Sequence, residues 1–555
     1  MKDLLCLFIA GCFALLFNGC ADGHKRITEK EVVAAPAEID AKAPEIIEYS
    51  LKDAIGDSGK VLNYRLRDPE VVQYIYQAAE FAPLWTKEGR WLPAADSLHT
   101  LIHESRRYGL LPEHYYAARL DSLKQLTTSD TAATENKLDA ALWAQTELLF
   151  TGALVRMIKD LKLGRLLHDS IANKNQTLTA QFYLAQIDRF KTSPKDSFAV
   201  GLEPSFWQYM ELKDALQQFL AKADLRKYSY INPKDSLRLP INVARRLKED
   251  SLYDRNPAQY DSLYLSESIR RWQRKKKLKE DGQLSATLVS GLNNNDYEKF
   301  LRIAINMDRL KGLPQMPQQY IWVNIPAYRL QLFDADTVVL TSRVVVGKPQ
   351  TATPQLTSAL SDMITYPKWY IPQSIIKKEI LPALKTDPGY LARKGYNLFD
   401  TAGNQIDPYT VNWARYEKGI PYSVVQGSGD ANALGILKFN FPNKYAVYLH
   451  DTNQRYLFSK DKRALSHGCV RVQSWLPLAV YLLRRDSILA APNAVPVDSM
   501  NSWLAQKIKR TIPLRNRMPL FIRYYTCEVK EGSVQFYEDV YGDDRRLRER
   551  YFKEN

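Results

Sequence analysis

From residue 320 the chain reads "YIWVNIPAYRLQLFDADTVVLTSRVVVGKP", and this stretch limits the fold more than any other. Apolar and polar side chains alternate, which puts them on opposite faces of extended strands. "DAD" at 334–336 interrupts the alternation and predicts a turn. Upstream the period changes. "ADSLHTLIHESRRYGLLP" spaces Leu98, Leu101, Ile102 and Tyr108 at helical intervals and stops at Gly109 and Pro112. "LDAALWAQTELLFTGALVRMIKDLKLG" is a longer amphipathic stretch of the same kind. The expected class is therefore multidomain α+β, helices first and strands after about residue 319.

With 555 residues, three or four domains are expected at roughly 150 residues each. A helical region is expected over 59–250, a small helical module over 251–300 and a connector over 301–318. A mostly β domain should fill 319–500, interrupted over 372–430 by Lys-rich helical turns and a Pro, Tyr and Gly-rich run. Residues 501–555 form a C-terminal segment expected to pack on the helical region, with a hairpin turning at "KEGS".

The amino terminus, "MKDLLCLFIAGCFALLFNGCADGHK", has one early Lys and an apolar run too short and poorly flanked to span a membrane. "FNGC" resembles a bacterial lipoprotein signal, which implies cleavage of residues 1–19 and lipidation of Cys20; an uncleaved anchor or an ordinary signal peptide is the alternative. Residues 20–58, rich in Ala, Glu, Lys and Pro, are expected to be a tether. Export makes cysteine usage informative. Of Cys6, Cys12, Cys20, Cys469 and Cys527, only the last two remain as thiols after lipidation. An oxidising compartment penalises lone thiols unless they are paired or used. A 469–527 disulfide is open on sequence alone, but Cys527 lies in the strand-like "FIRYYTCEV", where packing is the expected role.

The formal net charge is +15, yet the basic residues are scattered apart from "RRWQRKKKLK". Nucleic acid is not expected; an anionic polymer, an anionic membrane face or a solvated helix face fits the run. His99 and His103 stand four apart on one helix, a metal-like spacing, but no acidic motif accompanies them, so no metal site and no cofactor are expected.

"ALSHGCVRVQSW" places Cys469 among Gly, His and Arg, a poor composition for a core. Three readings are open: nucleophile, metal ligand with His450 and His467, or packing. A nucleophilic thiol needs a base. His467 is two residues away on the same strand, where side chains rarely meet head on; His450, 19 residues upstream, closes the strand "YAVYLH". If that strand lies beside "GCVRV", His450 is the general base and Asp451 orients it by side chain or carbonyl. The amides of Gly468 and Cys469 are candidates for an oxyanion hole, and Arg471, on the same face as Cys469, for binding a substrate carboxylate.

"YLHDT" followed by "SHGCVRV" resembles the signature of the YkuD-type L,D-transpeptidases. The likeness extends through "INMDRLKGLP", "YPKWYIPQSI", "NALGILKFNFPN" and "SVQFYEDVYGDD", and "APLWTKEGRW" and "YGLLPEHYY" resemble the scaffold of the family's large periplasmic branch. "SESIRRWQRKKKLKEDGQLSATLVSGLN" resembles a three-helix peptidoglycan-binding module. The resemblance implies a helical scaffold, that module and a β-sandwich catalytic domain with a helical capping lid. It implies Cys469 as nucleophile, His450 as base, and Ser466, His467, Tyr448 and Arg471 lining the site. The substrate implied is peptidoglycan: a donor tetrapeptide stem, attacked at its third residue with loss of D-Ala, and an acceptor amine giving a 3→3 crosslink. An L,D-carboxypeptidase using water and a non-catalytic wall-binding lipoprotein are the rival readings. Carbapenem β-lactams are the implied inhibitors, and the outer membrane the expected seat of the lipid anchor. "QGSGDANALG" departs from the family's Pro-rich lead-in to "NALG".

Overall fold

The computed structural model describes residues 30–61, 64–132, 138–166, 177–193, 195–417, 419–489 and 491–552. The signal segment and Cys20 lie outside these residues. The described residues divide into two compact units, one within 1–104, 112–158 and 178–198, the other within 105–111, 159–177 and 199–555. No helix among the described residues is long and apolar enough to cross a membrane.

The first unit is helical. Its opening helix, α1 (Pro36–Gly56), corrects the expected tether. Pro36 starts the helix where a missing N–H costs nothing. Ile39, Ala43, Ile47, Leu51 and Ala54 recur every three or four residues and are at most 1% exposed. The small alanines in this stripe had hidden the period. Further on, α2 (Pro93–His103) and α3 (Ala117–Ala132) contribute Leu98, Leu101, Ile102, Leu120 and Leu123 to buried positions.

In the second unit, α4 (Leu239–Glu249), α5 (Ser262–Lys275) and α6 (Ala286–Asn293) share one small core that includes Val243, Leu247, Ile269, Trp272, Leu288 and Leu292. The Asp-Gly turn between α5 and α6 is held by Gln273, which donates to Asp281 at 2.8 Å and accepts from the Gly282 amide at 2.9 Å. This module therefore runs from 239 to 293, not 251 to 300. Its third helix is the preceding α4, because α7 (Asp296–Lys311) buries Phe300, Ile303 and Met307 in a different core with Trp322, Phe333 and Phe521.

From residue 319 on, nine strands form one sheet. In chain order they are β1 (Gln319–Asn324), β2 (Arg329–Asp334), β3 (Thr337–Gly347), β4 (Leu356–Thr365), β5 (Leu437–Asn440), β6 (Leu449–His450), β7 (Ala464–Ser466), β8 (Val470–Val472) and β9 (Arg510–Arg523). Their spatial order is β7-β3-β8-β6-β5-β4-β9-β1-β2. The first half of β3 also pairs with β2 and its second half with β8, so the sheet curls round and closes. Inside lie Ile321, Val323, Leu332, Val344, Phe439, Leu449, Val470 and Leu520, covered by Leu478 and Leu482 of α8 (Trp475–Ile488). The expected turn at "DAD" is present, with Ala335 at φ +51°.

Two expectations are corrected here. Residues 501–555 are not a separate C-terminal segment: β9 sits centrally between β4 and β1, with Leu356 facing Ile522 and Leu520 facing Ile321. Arg and Pro residues on its outer face had masked the inward row of Ile512, Leu514, Met518 and Leu520. The insertion is also not purely helical. Besides short helices it carries a four-stranded antiparallel sheet built from Trp369–Tyr370, Tyr396–Phe399, Gln405–Ile406 and Ser423–Gln426. These elements enclose their own core, which includes Ile376, Ile380, Leu384, Leu398, Trp413 and Val424.

Candidate active site

Three short strands set the site. β6 pairs antiparallel with β5, Lys438 opposite His450, and parallel with β8, His450 opposite Arg471 and Leu449 opposite Val470. The Val470 amide donates to the Tyr448 carbonyl at 3.1 Å, which continues the ladder and sets Cys469 beside Tyr448. Strand alternation then puts Tyr448, His450, Lys438, Cys469 and Arg471 on one face. The Tyr448 and His450 ring centroids are 5.7 Å apart, and Lys438 Nζ lies 3.9 Å from the Tyr448 ring centre.

His450 is buried, and its Nδ1 donates to the main-chain carbonyl of Asp451. That bond fixes the tautomer and leaves Nε2 as the acceptor. Burial, reinforced by the Arg471 cation, pulls its pKa down from 6.5 to about 3. The Cys469 thiol is partly exposed, and desolvation pushes its pKa up. Hydrogen bonds from Tyr448 and the charges of Lys438 and Arg471 oppose that shift. The pair therefore rests as an uncharged thiol and a neutral imidazole, with two cations placed to favour a thiolate once it forms.

Residues 318–485 match the L,D-transpeptidase catalytic domain family, YkuD, and residues 70–216 match the scaffold domain family. A curated Haemophilus influenzae protein named "Putative L,D-transpeptidase" is 37% identical over 246 residues, a match covering 44% of this chain and 48% of the relative. The chain carries a YkuD-type L,D-transpeptidase catalytic domain. The solved avibactam carbamoyl enzyme of Ldtfm is also similar, at 14% identity over 38% of this chain and 50% of that one, with a TM-score of 0.16.

Within the YkuD domain the structure brings the sequence-chosen residues together and assigns some of them different contacts. Asp451 meets His450 through its carbonyl; its carboxylate instead accepts from the Ile436 amide at 3.1 Å and from Arg455 at 2.9 Å. A Cβ on Gly435, at φ +64°, would come within 2.3 Å of that carboxylate, so the glycine of "NALG" is required there. Gly468 is a correction. Its N–H donates to Ser466 Oγ at 3.1 Å, so in this conformation it is already satisfied and does not await an oxyanion. Ser466 Oγ in turn donates to the Cys469 carbonyl at 2.6 Å, which makes Ser466 a brace of the loop more than a wall of the pocket. The Cys469 amide remains the oxyanion candidate. Arg471 donates to Gln454 at 2.9 Å, and its buried Nε has no partner among the described residues.

Several positioning residues were missed from sequence. Thr353 Oγ1 donates to the Gly468 carbonyl at 2.8 Å and accepts from the Gly347 amide at 2.8 Å. Tyr541, far down the chain, donates to the Gly347 carbonyl at 2.7 Å. Lys438 has no motif to mark it. Glu379 belongs to the insertion, on a π-helical turn over Ile376–Ile380, a geometry frequent at functional sites. Its Oε1 lies 2.6 Å from His467 Nε2, so His467 ties the insertion to the loop that carries Cys469. Cys527 is buried and forms no disulfide among the described residues, and burial pushes its thiol pKa up, consistent with packing.

Proposed function

We propose that the chain is an exported peptidoglycan L,D-transpeptidase in which Cys469 is the nucleophile and His450 the general base. The observation that carries this reading is the parallel pairing of β6 with β8, which sets a neutral, buried His450 on the same face as Cys469. Nε2 takes the thiol proton as sulfur attacks the carbonyl of the third stem residue. The Cys469 amide, Lys438 and the Tyr448 phenol are the groups available to the developing negative charge. Collapse breaks the bond to D-Ala, whose amine leaves with the proton from His450. An acceptor amine then attacks the thioester, passing its proton to His450, and collapse returns that proton to the sulfur. The unpartnered Nε of Arg471 suits a donor carboxylate, and His467 with Glu379 sets the lid edge.

Lipidation at Cys20 would hold the protein at the periplasmic face of the envelope, and the basic α5 suits an anionic wall polymer. The module over 239–293 is proposed to hold glycan while the YkuD domain works on stems. β-Lactams of the carbapenem class present a carbonyl that sulfur can acylate. The test is incubation with disaccharide-tetrapeptide and separation of the products. 3→3 dimers support transpeptidation, tripeptide alone supports L,D-carboxypeptidase activity, and unchanged substrate contradicts both.

A further inference from the structure

The first unit holds a second cluster of ligating side chains. His99 and His103, one turn apart on α2, turn the same way, and Asp121, early in α3, faces them. Both Nε2 atoms lie 2.8 Å from the same atom, Asp121 Oδ1. The three ligand atoms lie within 4.8 Å of one another. The imidazole centroids are 4.7 Å apart, and Trp91 packs edge-on against His99 with centroids 5.8 Å apart, which fixes the inner ring. The nearby cation, Lys124, is paired with Asp96 at 3.0 Å and lies over the Trp91 ring.

We propose that His99, His103 and Asp121 form a site for a divalent transition-metal ion, zinc being the ion whose ligand preferences fit best. Two imidazole nitrogens and one carboxylate oxygen suit zinc, with the fourth position open to water. A tetrahedral ion with bonds of about 2.0–2.1 Å holds its ligands roughly 3.3 Å apart. The present 2.8 Å separations need to open by about half an ångström, within reach of a rotation of the half-exposed Asp121 side chain, while the two imidazole nitrogens, within 4.8 Å of each other, come to the same spacing by a turn of the exposed His103 ring. The chemistry of the donor set favours a d-block cation over Mg²⁺ or Ca²⁺, which prefer oxygen ligands alone. Such an ion would clip α2 to α3 within the scaffold region and stiffen it.

The test uses the untagged full chain carrying Cys469→Ala, which removes a competing sulfur ligand. Zinc binding is measured by titration against a chromophoric chelator, and Co²⁺ is added separately to record its visible ligand-field bands. One equivalent of zinc, Co²⁺ bands of a low-coordinate site, and affinity reduced tenfold or more in both His103→Ala and Asp121→Asn are expected. Each variant is checked for folding by circular dichroism, and the conservative Asp121→Glu is expected to retain part of the affinity. No zinc uptake, or uptake unchanged in His103→Ala and Asp121→Asn, would overturn the site and leave a His–Asp–His hydrogen-bonded cluster.

Discussion

His450 stands opposite Arg471 in the parallel pairing of β6 with β8, so a cation flanks the buried imidazole. The sign of the consequence follows from the charge. Burial and Arg471 both disfavour imidazolium, holding the pKa at about 3. The base is therefore lost only as pH falls toward that value, and kcat/KM should show no acid limb in the ordinary histidine range. Arg471→Gln removes one depressing influence, so any acid limb should move to higher pH. D-Ala release recorded from roughly pH 4 to 8 checks both statements. A wild-type limb near the unperturbed histidine pKa contradicts the account. The same shift contributes to stability: unfolded chains bind the proton first, so this contribution, complete above the ordinary histidine pKa, diminishes as pH falls from there toward about 3.

Replacing the base separates chemistry from binding. His450→Gln keeps a polar side chain of similar reach but cannot take the thiol proton. The expected result is a fall in kcat of about 10²- to 10⁴-fold with KM nearly unchanged. Steady-state D-Ala release reads both parameters, and a kcat within a few-fold of wild type would remove His450 from the base role.

Thr353 braces the loop that carries Cys469, the proposed nucleophile, through the Gly468 carbonyl. Thr353→Val preserves shape but leaves the Gly468 carbonyl and the Gly347 amide without their side-chain partner. A loss of about 1–3 kcal/mol in chemical denaturation is expected. A slower reaction of Cys469 with a thiol reagent should accompany it, because the loop geometry relaxes. Full stability together with full thiol reactivity would contradict the bracing role.

The lid contact is a different matter. His467 and Glu379 are 32% and 50% exposed in their side chains, so their pairing contributes little to stability. Glu379→Ala should change unfolding free energy by no more than about 0.5 kcal/mol. It should raise the donor KM severalfold by freeing the lid edge. An unchanged KM would mean that the contact does not position the insertion during turnover.

Much of this architecture was legible because its signals are local. Alternation from Tyr320 to Val346 marked the first three strands, and the spacing of His450 and Cys469 pointed to adjacent strands. Pairings set by distant segments were not legible. β9 reads as a tail until Leu356 is seen to face Ile522. Tyr541 and Thr353 become meaningful only when the chain returns to Gly347. α1 was hidden by small alanines in its apolar stripe, and the sheet of the insertion by its short strands among turn-forming residues. Asp121 lacks any motif, since its relation to His99 and His103 exists only once α2 and α3 are folded together.

Formation of a thioester on Cys469 tests the central claim most directly. The full chain is mixed with a tetrapeptide donor, without acceptor, and its intact mass is followed while free D-Ala is measured. The account predicts an added mass equal to the donor less D-Ala, located on the peptide containing Cys469 and absent from Cys469→Ala, which should also release no D-Ala. D-Ala release by the Cys469→Ala protein at the wild-type rate would contradict it.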